Sequence, residues 1–556
     1  MRAELGSSLP PDDKHAISVY IPAWKDTIAW GKGDLELLGD LETVYPRYFI
    51  SRAVNRLGQL IVEWTISTFI HTASETFKAH FCTVVSSPVT AIAIATRSQA
   101  IRFQQSFRGP FTGHVFVYKA DIYGGVHHLR ESRTSCNWDE VYVVVYSYPL
   151  DHLAKAFWRH TGFGISSRRA KYWLDNAPFL NQGHEPLAVD LPLREAQDAK
   201  IALRLRIADL YSTQGNELDI SDVLLYPTGM SAICQTQDIL WEYRQPGKAT
   251  IAIVGFMKDT FKALSKTYGQ ECRLYGSSPS DLDVLERDLR LGLDLCALYT
   301  EFPGNPLLES VDLERLQNLS IDYDFLFVVD DTVGTPVNVD LMSYCDVVCT
   351  SLTTMFSGRC NVMGGSTAIN PAGRNHFDLK ESFREWYIDT YFPLDAIVME
   401  KNSADFEERV IKASQNAECV ADILRKHNSV EQVYYPKGST TQHIYEQYKR
   451  PGKGYGYLLS IRFKSSEAAI AFHDAIDLAK GPGAGANFTL CCAYTLLAHY
   501  NDIDWAEEYG VVKDLVRISV GTENDKFLEV VINAALDAAL HAHENLKEGC
   551  DLSSLF

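Results

Sequence analysis

The chain has 556 residues, of which 46% are hydrophobic and 22% are charged. This composition can support several packed cores and argues against global disorder. The formal net charge of -19 argues against a nucleic-acid backbone as the main partner, because phosphate binding needs clustered lysine and arginine side chains.

The cysteines and the hydropathy pattern exclude further classes of protein. The 12 cysteines follow neither a zinc spacing nor a disulfide framework, so we expect reduced structural thiols and no metal site. Residues 1–15 lack the apolar segment of a signal peptide, and no apolar run approaches the roughly 20 residues that span a membrane. We therefore expect a cytoplasmic protein without a membrane partner.

The first region, residues 1–157, is predicted to be an α/β extension. Strand-like runs begin at Val115 and Val141, and a helical pattern covers residues 98–107. We find no catalytic motif in this region.

The second region, residues 158–371, alternates strand-like and helical segments. Its short, continuous apolar runs begin at Val223, Ala249, Leu295, Phe325 and Val347. Continuous runs fit strands that are buried on both faces, so a largely parallel sheet covered by helices is predicted. Ligands of such sheets bind beyond the carboxyl ends of the strands.

The third region, residues 372–556, is predicted to be a smaller α+β domain. A long helical stretch near 387–427 precedes a strand at 457–463. A second helix, a glycine-rich loop at 481–485, a strand at 515–520 and a final helix follow.

Asp330 ends one of the buried strand-like runs of the second region. An aspartate there is costly unless it is paired. Its carboxylate can hold a protonated ring nitrogen, as the cofactor pyridoxal 5'-phosphate (PLP) requires. The alternative is an aspartate that caps a following helix.

Two further segments carry candidate site residues. Gly229 follows a strand at the start of a predicted helix, whose free N–H groups can bind an anion; an ordinary strand-to-helix turn is the alternative. The hydroxyl side chains of Ser351, Thr353 and Thr354 cluster after the next strand, where a simple polar loop is the alternative.

In this order the three segments resemble the cystathionine γ-synthase-like branch of the trans-sulfuration PLP enzymes, most closely its long fungal members. The stretches 301–308, 481–490 and 515–523 support the resemblance, which covers nearly the whole chain. It implies the aspartate-aminotransferase-type fold (fold type I), with a mainly parallel large domain, a small α+β C-terminal domain and an extra N-terminal α/β region. The reaction of that family is a PLP-dependent γ-replacement on an O-acylhomoserine.

The resemblance also implies roles for residues around the cofactor. The backbone amides of Gly229 and Met230 and the hydroxyls of Ser351 and Thr353 would bind its phosphate. Two further residues would contact the cofactor ring: Asp330 at the ring nitrogen and Asn305 at the ring oxygen.

Further implied roles concern the substrate and a second subunit. Arg517 would bind the substrate carboxylate, beside Gly483 in the substrate loop. Arg168 would reach the phosphate of a partner subunit in a homodimer or homotetramer, with Ser166 at the position of the family's tyrosine. The segment 45–47 has the right residue types for this contact but lies too far upstream to be preferred.

The chain departs from the family where the cofactor would be held covalently. The family reads Ser-Leu-Thr-Lys, and its lysine binds PLP, whereas Thr354 ends the corresponding segment here. A threonine hydroxyl cannot form an imine with an aldehyde, nor readily move protons as an amine does. Met257 lies in the segment that has lost the ring-stacking tyrosine, and Gly483-Ala484 stands in a loop that reads Gly-Pro-Ser-Leu-Gly in the family. Three departures at one site favour natural divergence over a single laboratory substitution.

Lys258 lies in the loop expected to cover the cofactor ring, so it is a candidate substitute amine. The alternative is a solvated loop lysine, because proximity of a loop does not ensure that its side chain is aimed at the ring.

Three interpretations of the whole chain remain open. It is a divergent enzyme that uses non-covalent PLP or none on a carboxylate-bearing small molecule, such as an amino acid or an O-acylhomoserine. It is a non-catalytic subunit that pairs with an active paralogue. Or it is a γ-synthase inactivated by an engineered lysine-to-threonine change. Fold resemblance alone does not name the substrate.

Overall fold

The computed structural model describes residues 4–41, 49–72, 89–107, 115–128, 136–180, 189–244, 250–267 and 271–547. These residues form a two-stranded ribbon and sheets of four, seven and five strands. The three larger sheets fall in chain order within the three regions predicted from the sequence.

The N-terminal segment 4–41 packs against the third region. It holds strands β1 (Ser8–Leu9) and β2 (Ser18–Val19) and the helices Trp24–Lys32 and Leu35–Asp40. Trp24 is buried in the core of the C-terminal domain, and Ile21 N donates a hydrogen bond to Lys480 O at 2.9 Å. The sequence pattern placed this segment with the α/β extension and did not predict its long-range packing.

The four-stranded sheet is antiparallel and has the order β3-β6-β4-β5. Its strands are β3 (Val89–Ile94), β4 (Val115–Asp121), β5 (Gly125–His128) and β6 (Glu140–Ser147). The strands predicted at Val115 and Val141 are confirmed. The helices of this part are Arg52–Thr72, Arg97–Ser106, Asp151–Thr161 and Ser167–Asn176.

The seven-stranded sheet has the order β7-β13-β12-β11-β10-β8-β9. Its strands are β7 (Val223–Tyr226), β8 (Thr250–Val254), β9 (Glu271–Tyr275), β10 (Leu295–Glu301), β11 (Leu326–Asp330), β12 (Val347–Thr350) and β13 (Gly365–Ile369). β13 runs opposite to the other six strands of this sheet, which share one direction, so the predicted, largely parallel sheet is confirmed. Separate apolar cores cover its two faces, as its continuous apolar strands require.

Helices connect and cover these strands. They are Leu193–Tyr211, Gly229–Arg244, Lys258–Lys262, Pro279–Arg290, Leu313–Asp322, Thr335–Asn338 and His376–Trp386. Across the ranges given above, no helix has both the length and the apolar composition needed to cross a bilayer.

The five-stranded sheet of the third region has the order β14-β15-β18-β17-β16. Its strands are β14 (Val430–Tyr434), β15 (Leu458–Phe463), β16 (Ala479–Lys480), β17 (Leu490–Ala493) and β18 (Val516–Ser519). Its helices are Pro393–Asn402, Phe406–Arg425, Gln442–Tyr448, Ser466–Ala475, Tyr494–Ala498, Ile503–Glu508 and Asp525–Lys547.

The long helical stretch predicted near 387–427 is interrupted. Extended backbone follows Trp386, a new helix starts at Pro393, and another starts at Phe406. Proline has no backbone N–H and has a preset φ, so it suits the first turn of a helix but not its interior.

Candidate functional site

A cavity of about 210 Å³ lies beyond the carboxyl ends of β10, β11 and β12, against the start of helix Gly229–Arg244. All of the site residues predicted from the sequence except Arg168 and Lys258 line it. They are Gly229, Met230, Asn305, Asp330, Ser351, Thr353, Thr354, Gly483 and Arg517. The large domain and the C-terminal domain both contribute to the wall, so the site forms only when the two pack together.

Gly229 allows a loop to approach the start of its helix. A Cβ atom on Gly229 would lie 2.7 Å from the Cβ of Ser351, closer than packed side chains tolerate. In the first turn, Ser231 N donates to the hydroxyl of Thr228 at 3.0 Å. The hydroxyl-bearing loop and the helix N-terminus therefore share one wall, which is suited to an anion.

Thr353 and Thr354 make different contacts at this wall. The hydroxyl of Thr353 donates to Gly364 O at 3.2 Å and accepts from Gly364 N at 3.1 Å, so it holds its own loop closed. Thr354 is 8% exposed, and its hydroxyl donates to Ser351 O at 3.0 Å. Thr354 thus lies at the cavity with its hydroxyl bound to a carbonyl.

Asp330, the last residue of β11, and Asp331, which follows the strand, have different surroundings. Asp330 lines the cavity, and its Oδ1 accepts from Thr332 N at 2.9 Å. Asp331 is fully buried and accepts from the hydroxyls of Tyr211 at 2.6 Å and Thr350 at 2.5 Å. Burial raises the pKa of Asp331 to about 7. Of the two adjacent carboxyl groups, only that of Asp330 faces the cavity.

Arg517 lies in β18 and is held from two directions. Its NH1 donates to Asn305 Oδ1 at 3.0 Å, and its NH2 donates to Gly483 O at 2.9 Å. The guanidinium also lies 4.5 Å from the ring centroid of Tyr494. These contacts orient the planar group at the cavity wall.

Tyr494 is a cavity residue that the sequence did not reveal. Its hydroxyl accepts from Asn305 Nδ2 at 3.2 Å and lies 3.3 Å from Nε2 of His499. Tyr494 follows the buried strand β17, and in sequence it is one aromatic residue in an apolar run that is typical of a core. We find no sequence signal that would have marked it.

Lys258 points into a cluster beside the cavity. Its Nζ lies 2.5 Å from Asp502 Oδ2, 2.8 Å from His499 Nδ1, and 5.5 Å from the ring centroid of Trp505. Lys258 is 6% exposed and is absent from the described cavity lining, which includes its neighbour Asp259. The predicted role of Lys258 as a substitute amine remains a prediction, with its ammonium bound elsewhere in this structure.

Arg168 makes its contacts within its own chain. Its NH1 donates to Asn361 O at 2.8 Å and to the buried Asp395 Oδ1 at 3.2 Å. Among the described residues near it, Ser166 and Arg159 line the cavity. The predicted reach of Arg168 to a partner subunit is not tested by a single chain, and the alternative segment 45–47 lies outside the described residues.

Two family models match the chain. The model described as Cys/Met metabolism PLP-dependent enzyme matches residues 199–537, which is more than half of the chain. The chain belongs to this family. The model of the fungal trans-sulfuration enzyme N-terminal domain matches residues 54–166.

Relatives match over nearly the full length. A cystathionine gamma-synthase-like enzyme of Amanita muscaria is 36% identical over 97% of this chain and 97% of its own length. The cystathionine gamma-synthase of Neurospora crassa is 33% identical over 96% and 98%. An alanine racemase of Aspergillus violaceofuscus is 29% identical over 95% and 96%, so the family includes members of different activity.

A solved structure shows the same fold. The crystal structure of cystathionine gamma synthase from Xanthomonas oryzae pv. oryzae, in complex with aminoacrylate and cysteine, aligns with a TM-score of 0.54 at 22% identity. The alignment covers 63% of this chain and 88% of that one. The predicted aspartate-aminotransferase-type fold is confirmed.

The site of this family member fits PLP only in part. The helix start at Gly229, the nearby Ser351 and the carboxylate of Asp330 offer complementary groups for a phosphate and a protonated ring nitrogen. Thr354 does not fit a covalent link, because its hydroxyl cannot replace an amine. Met257 is buried and outside the described lining of the cavity.

Proposed function

We propose that this chain binds an amino-acid-type carboxylate at Arg517 and acts on it without a lysine-linked cofactor. The observation that carries the proposal is that an oriented Arg517 and Thr354 both line one cavity. The ligand class is a small molecule with an α-carboxylate, such as an amino acid or an O-acylhomoserine.

The carboxylate part of the proposal rests on the geometry of Arg517. A guanidinium has only N–H donors, arranged in a planar fork that matches a carboxylate. Asn305 and Gly483 accept from its two terminal nitrogens and hold that plane, and Arg517 is 8% exposed. A held, partly desolvated arginine needs less ordering when a carboxylate binds, which favours affinity.

The cofactor part follows from what the cavity wall retains and lacks. We propose that PLP binds here without a covalent link, held by Asp330, Gly229 and Ser351, or does not bind. When bound, the cofactor supplies an electron sink to an amino-acid substrate. The chain itself binds and orients the carboxylate at Arg517.

The breadth of the family supports altered chemistry over simple loss of function. One relative is described as an alanine racemase although it aligns over 95% of this chain. Function in such folds depends on the site and not on the scaffold. An oriented arginine in the lining of a cavity favours a ligand-binding role over a purely structural subunit.

Two measurements test the proposal. Purified protein incubated with PLP is treated with borohydride and digested, and mass spectrometry is expected to find no pyridoxyl group on any lysine, including Lys258. Calorimetry with a panel of amino acids and O-acylhomoserines is expected to detect binding that Arg517→Ala abolishes. A lysine adduct contradicts the cofactor part, and absence of binding across the panel favours a non-catalytic subunit.

A further inference from the structure

A line of hydrogen-bonding groups leads from the cavity wall into the protein. It runs from Tyr494 through His499 to Lys258 and ends at Asp502. We propose that Tyr494 is the acid–base group of the cavity, and that His499 and Lys258 are positioning residues that stabilise charge on its oxygen. This inference rests on the proposed function for its ligand, an α-carboxylate bound at Arg517.

The direction of each hydrogen bond follows from the chemistry of Lys258. A lysine ammonium is only a donor, so Nδ1 of His499, 2.8 Å away, must accept. A neutral imidazole that accepts at Nδ1 carries its proton on Nε2. Nε2 therefore donates to the hydroxyl oxygen of Tyr494, 3.3 Å away.

The charge states in this cluster agree with that assignment. Burial and the nearby charge of Lys258 lower the pKa of His499 to about 3, so the imidazole is neutral. Burial alone would raise the pKa of Asp502, but hydrogen bonds from Lys258 and Lys262 hold it at about 2. Burial lowers the pKa of Lys258, and the hydrogen bond to the carboxylate of Asp502 opposes that shift.

The second hydrogen-bond donor to Tyr494 is the side-chain amide of Asn305, and Arg517 determines the orientation of that amide. A guanidinium has no acceptor, so the amide oxygen of Asn305 must face Arg517. The amide nitrogen of Asn305 then faces Tyr494 and donates to its oxygen at 3.2 Å. The orientation of Asn305 is therefore fixed by the residue that binds the carboxylate.

These contacts place two N–H donors on the phenol oxygen and a guanidinium 4.5 Å from the ring centroid. Donors and nearby positive charge both favour the ionised form of a phenol. Tyr494 can thus give its proton to a ligand atom beside the bound carboxylate, leaving a stabilised phenolate. The phenolate can take a proton back from the ligand, which restores the hydroxyl.

The arrangement also gives Lys258 a role other than that of a substitute amine. Its ammonium is held by Asp502 and His499, outside the described lining of the cavity. Lys258 therefore acts through His499 on Tyr494, and its positive charge is what matters. Lys258→Arg is expected to preserve the effect, and Lys258→Met to remove it.

A first experiment needs no ligand. Acetylation by N-acetylimidazole transfers an acetyl group to a phenol oxygen and releases imidazole, and peptide mass spectrometry locates the product. We expect Tyr494 to be acetylated in the wild type, at a rate that falls at least about tenfold in Lys258→Met and is kept in Lys258→Arg. Equal rates in all three proteins, or no acetylation of Tyr494, would overturn the proposal.

A second experiment measures proton transfer. Exchange of the α-proton of L-alanine and of O-acetyl-L-homoserine is followed by NMR in D₂O with added PLP. Tyr494→Phe is expected to lower the exchange rate about a hundredfold, the usual scale of general acid–base catalysis, with ligand affinity nearly unchanged. Tyr435→Phe is the matched control, because Tyr435 is a buried tyrosine that donates to Gly456 O at 2.9 Å. The Tyr435→Phe variant should exchange the α-proton at the rate of the wild type.

The outcomes separate this inference from the proposed function. If Arg517→Ala abolishes ligand binding but Tyr494→Phe exchanges protons like the wild type, the carboxylate site stands and the role of Tyr494 is wrong. If the wild type binds no ligand but acetylation of Tyr494 still depends on the charge of Lys258, the proposed function fails and the activated tyrosine remains. If the wild type binds L-alanine or O-acetyl-L-homoserine but exchanges the α-proton of neither, the role of Tyr494 as an acid–base group is wrong.

Discussion

NH1 of Arg517 donates to Oδ1 of Asn305 at 3.0 Å, although the two residues are 212 positions apart in the chain. Arg517 belongs to a strand of the C-terminal domain, and Asn305 belongs to the loop after β10 in the large domain. The candidate carboxylate site therefore spans the contact between the two domains. A ligand at Arg517 should stabilise that contact, because it binds the folded arrangement only.

Truncation of Arg517 is expected to weaken ligand binding strongly. Arg517→Ala should lose roughly 2–5 kcal/mol of binding free energy, as expected for a partly desolvated charged contact. Calorimetry with the panel of amino acids and O-acylhomoserines measures the loss. The control is Arg462→Ala, which removes an exposed arginine paired with Glu431 at 2.9 Å and should leave affinity unchanged. Equal affinity in the wild type and Arg517→Ala would show that the ligand does not use the candidate carboxylate site at Arg517.

Thr354→Lys is expected to restore PLP capture only in part. The cavity wall at Gly229 and Ser351, which is suited to an anion, persists in this variant. Met257 cannot stack on the cofactor ring as a tyrosine would, and an aromatic pair contributes roughly 0.5–1.5 kcal/mol. Visible absorbance and borohydride trapping of the variant measure the captured fraction. Full γ-replacement activity with an O-acylhomoserine in this single variant would contradict natural divergence and indicate an engineered knockout.

Gly229→Ala is expected to disrupt the cavity wall that the helix start at Gly229 forms with Ser351. The added Cβ would lie 2.7 Å from the Cβ of Ser351, so the loop or the helix start must shift. We expect a lower midpoint of thermal unfolding and weaker phosphate binding. Gly39→Ala is the matched control, because a Cβ on this exposed helical glycine meets no atom within 4 Å. Unchanged phosphate binding in Gly229→Ala would show that the helix start is not an anion site.

Asp331 is expected to make stability depend on pH. Its pKa is raised by burial to about 7, so between its ordinary value and pH 7 the folded state binds more protons than the unfolded state. The free energy of unfolding should therefore fall as pH rises through this window, by on the order of 3 kcal/mol. Urea denaturation at pH 5 and pH 8 measures the change, which Asp331→Asn should remove and Asp477→Asn, at an exposed position, should not. An identical pH dependence in Asp331→Asn would contradict the assignment.

The chain is expected to form a dimer or a tetramer built from dimers, as the family resemblance implies. Light scattering at micromolar concentration tests this, and a monomer would contradict it.

Arg168→Ala distinguishes two roles for that residue. Because Arg168 pairs with the buried Asp395, its loss should destabilise the chain by about 3–5 kcal/mol. Weaker phosphate binding without lost stability would instead indicate a contact to a partner.

Local patterns in the sequence predicted the largely parallel sheet and three segments of the cavity wall, and the family resemblance implied the fold type and the remaining site residues. Continuous apolar runs ending in Asp330 and before Ser351, and a glycine at a strand-to-helix turn, are short-range features. The carboxyl ends of parallel strands meet at one edge of a sheet, so residues that follow such strands converge without further information. The absence of a cofactor-linking lysine at Thr354 followed from comparing the sequence with the family pattern that it resembles.

Only the tertiary structure decided which side chains face each other. Whether Asp330 or Asp331 faces the cavity depends on the path of the backbone at the end of β11. The aim of Lys258 depends on His499 and Asp502, which lie more than 200 positions away in the chain. Tyr494 became a candidate acid–base group because Asn305 and His499 both donate to its oxygen. Such contacts join distant segments, and an apolar run with one tyrosine has the same local pattern whether that tyrosine lines a cavity or a core.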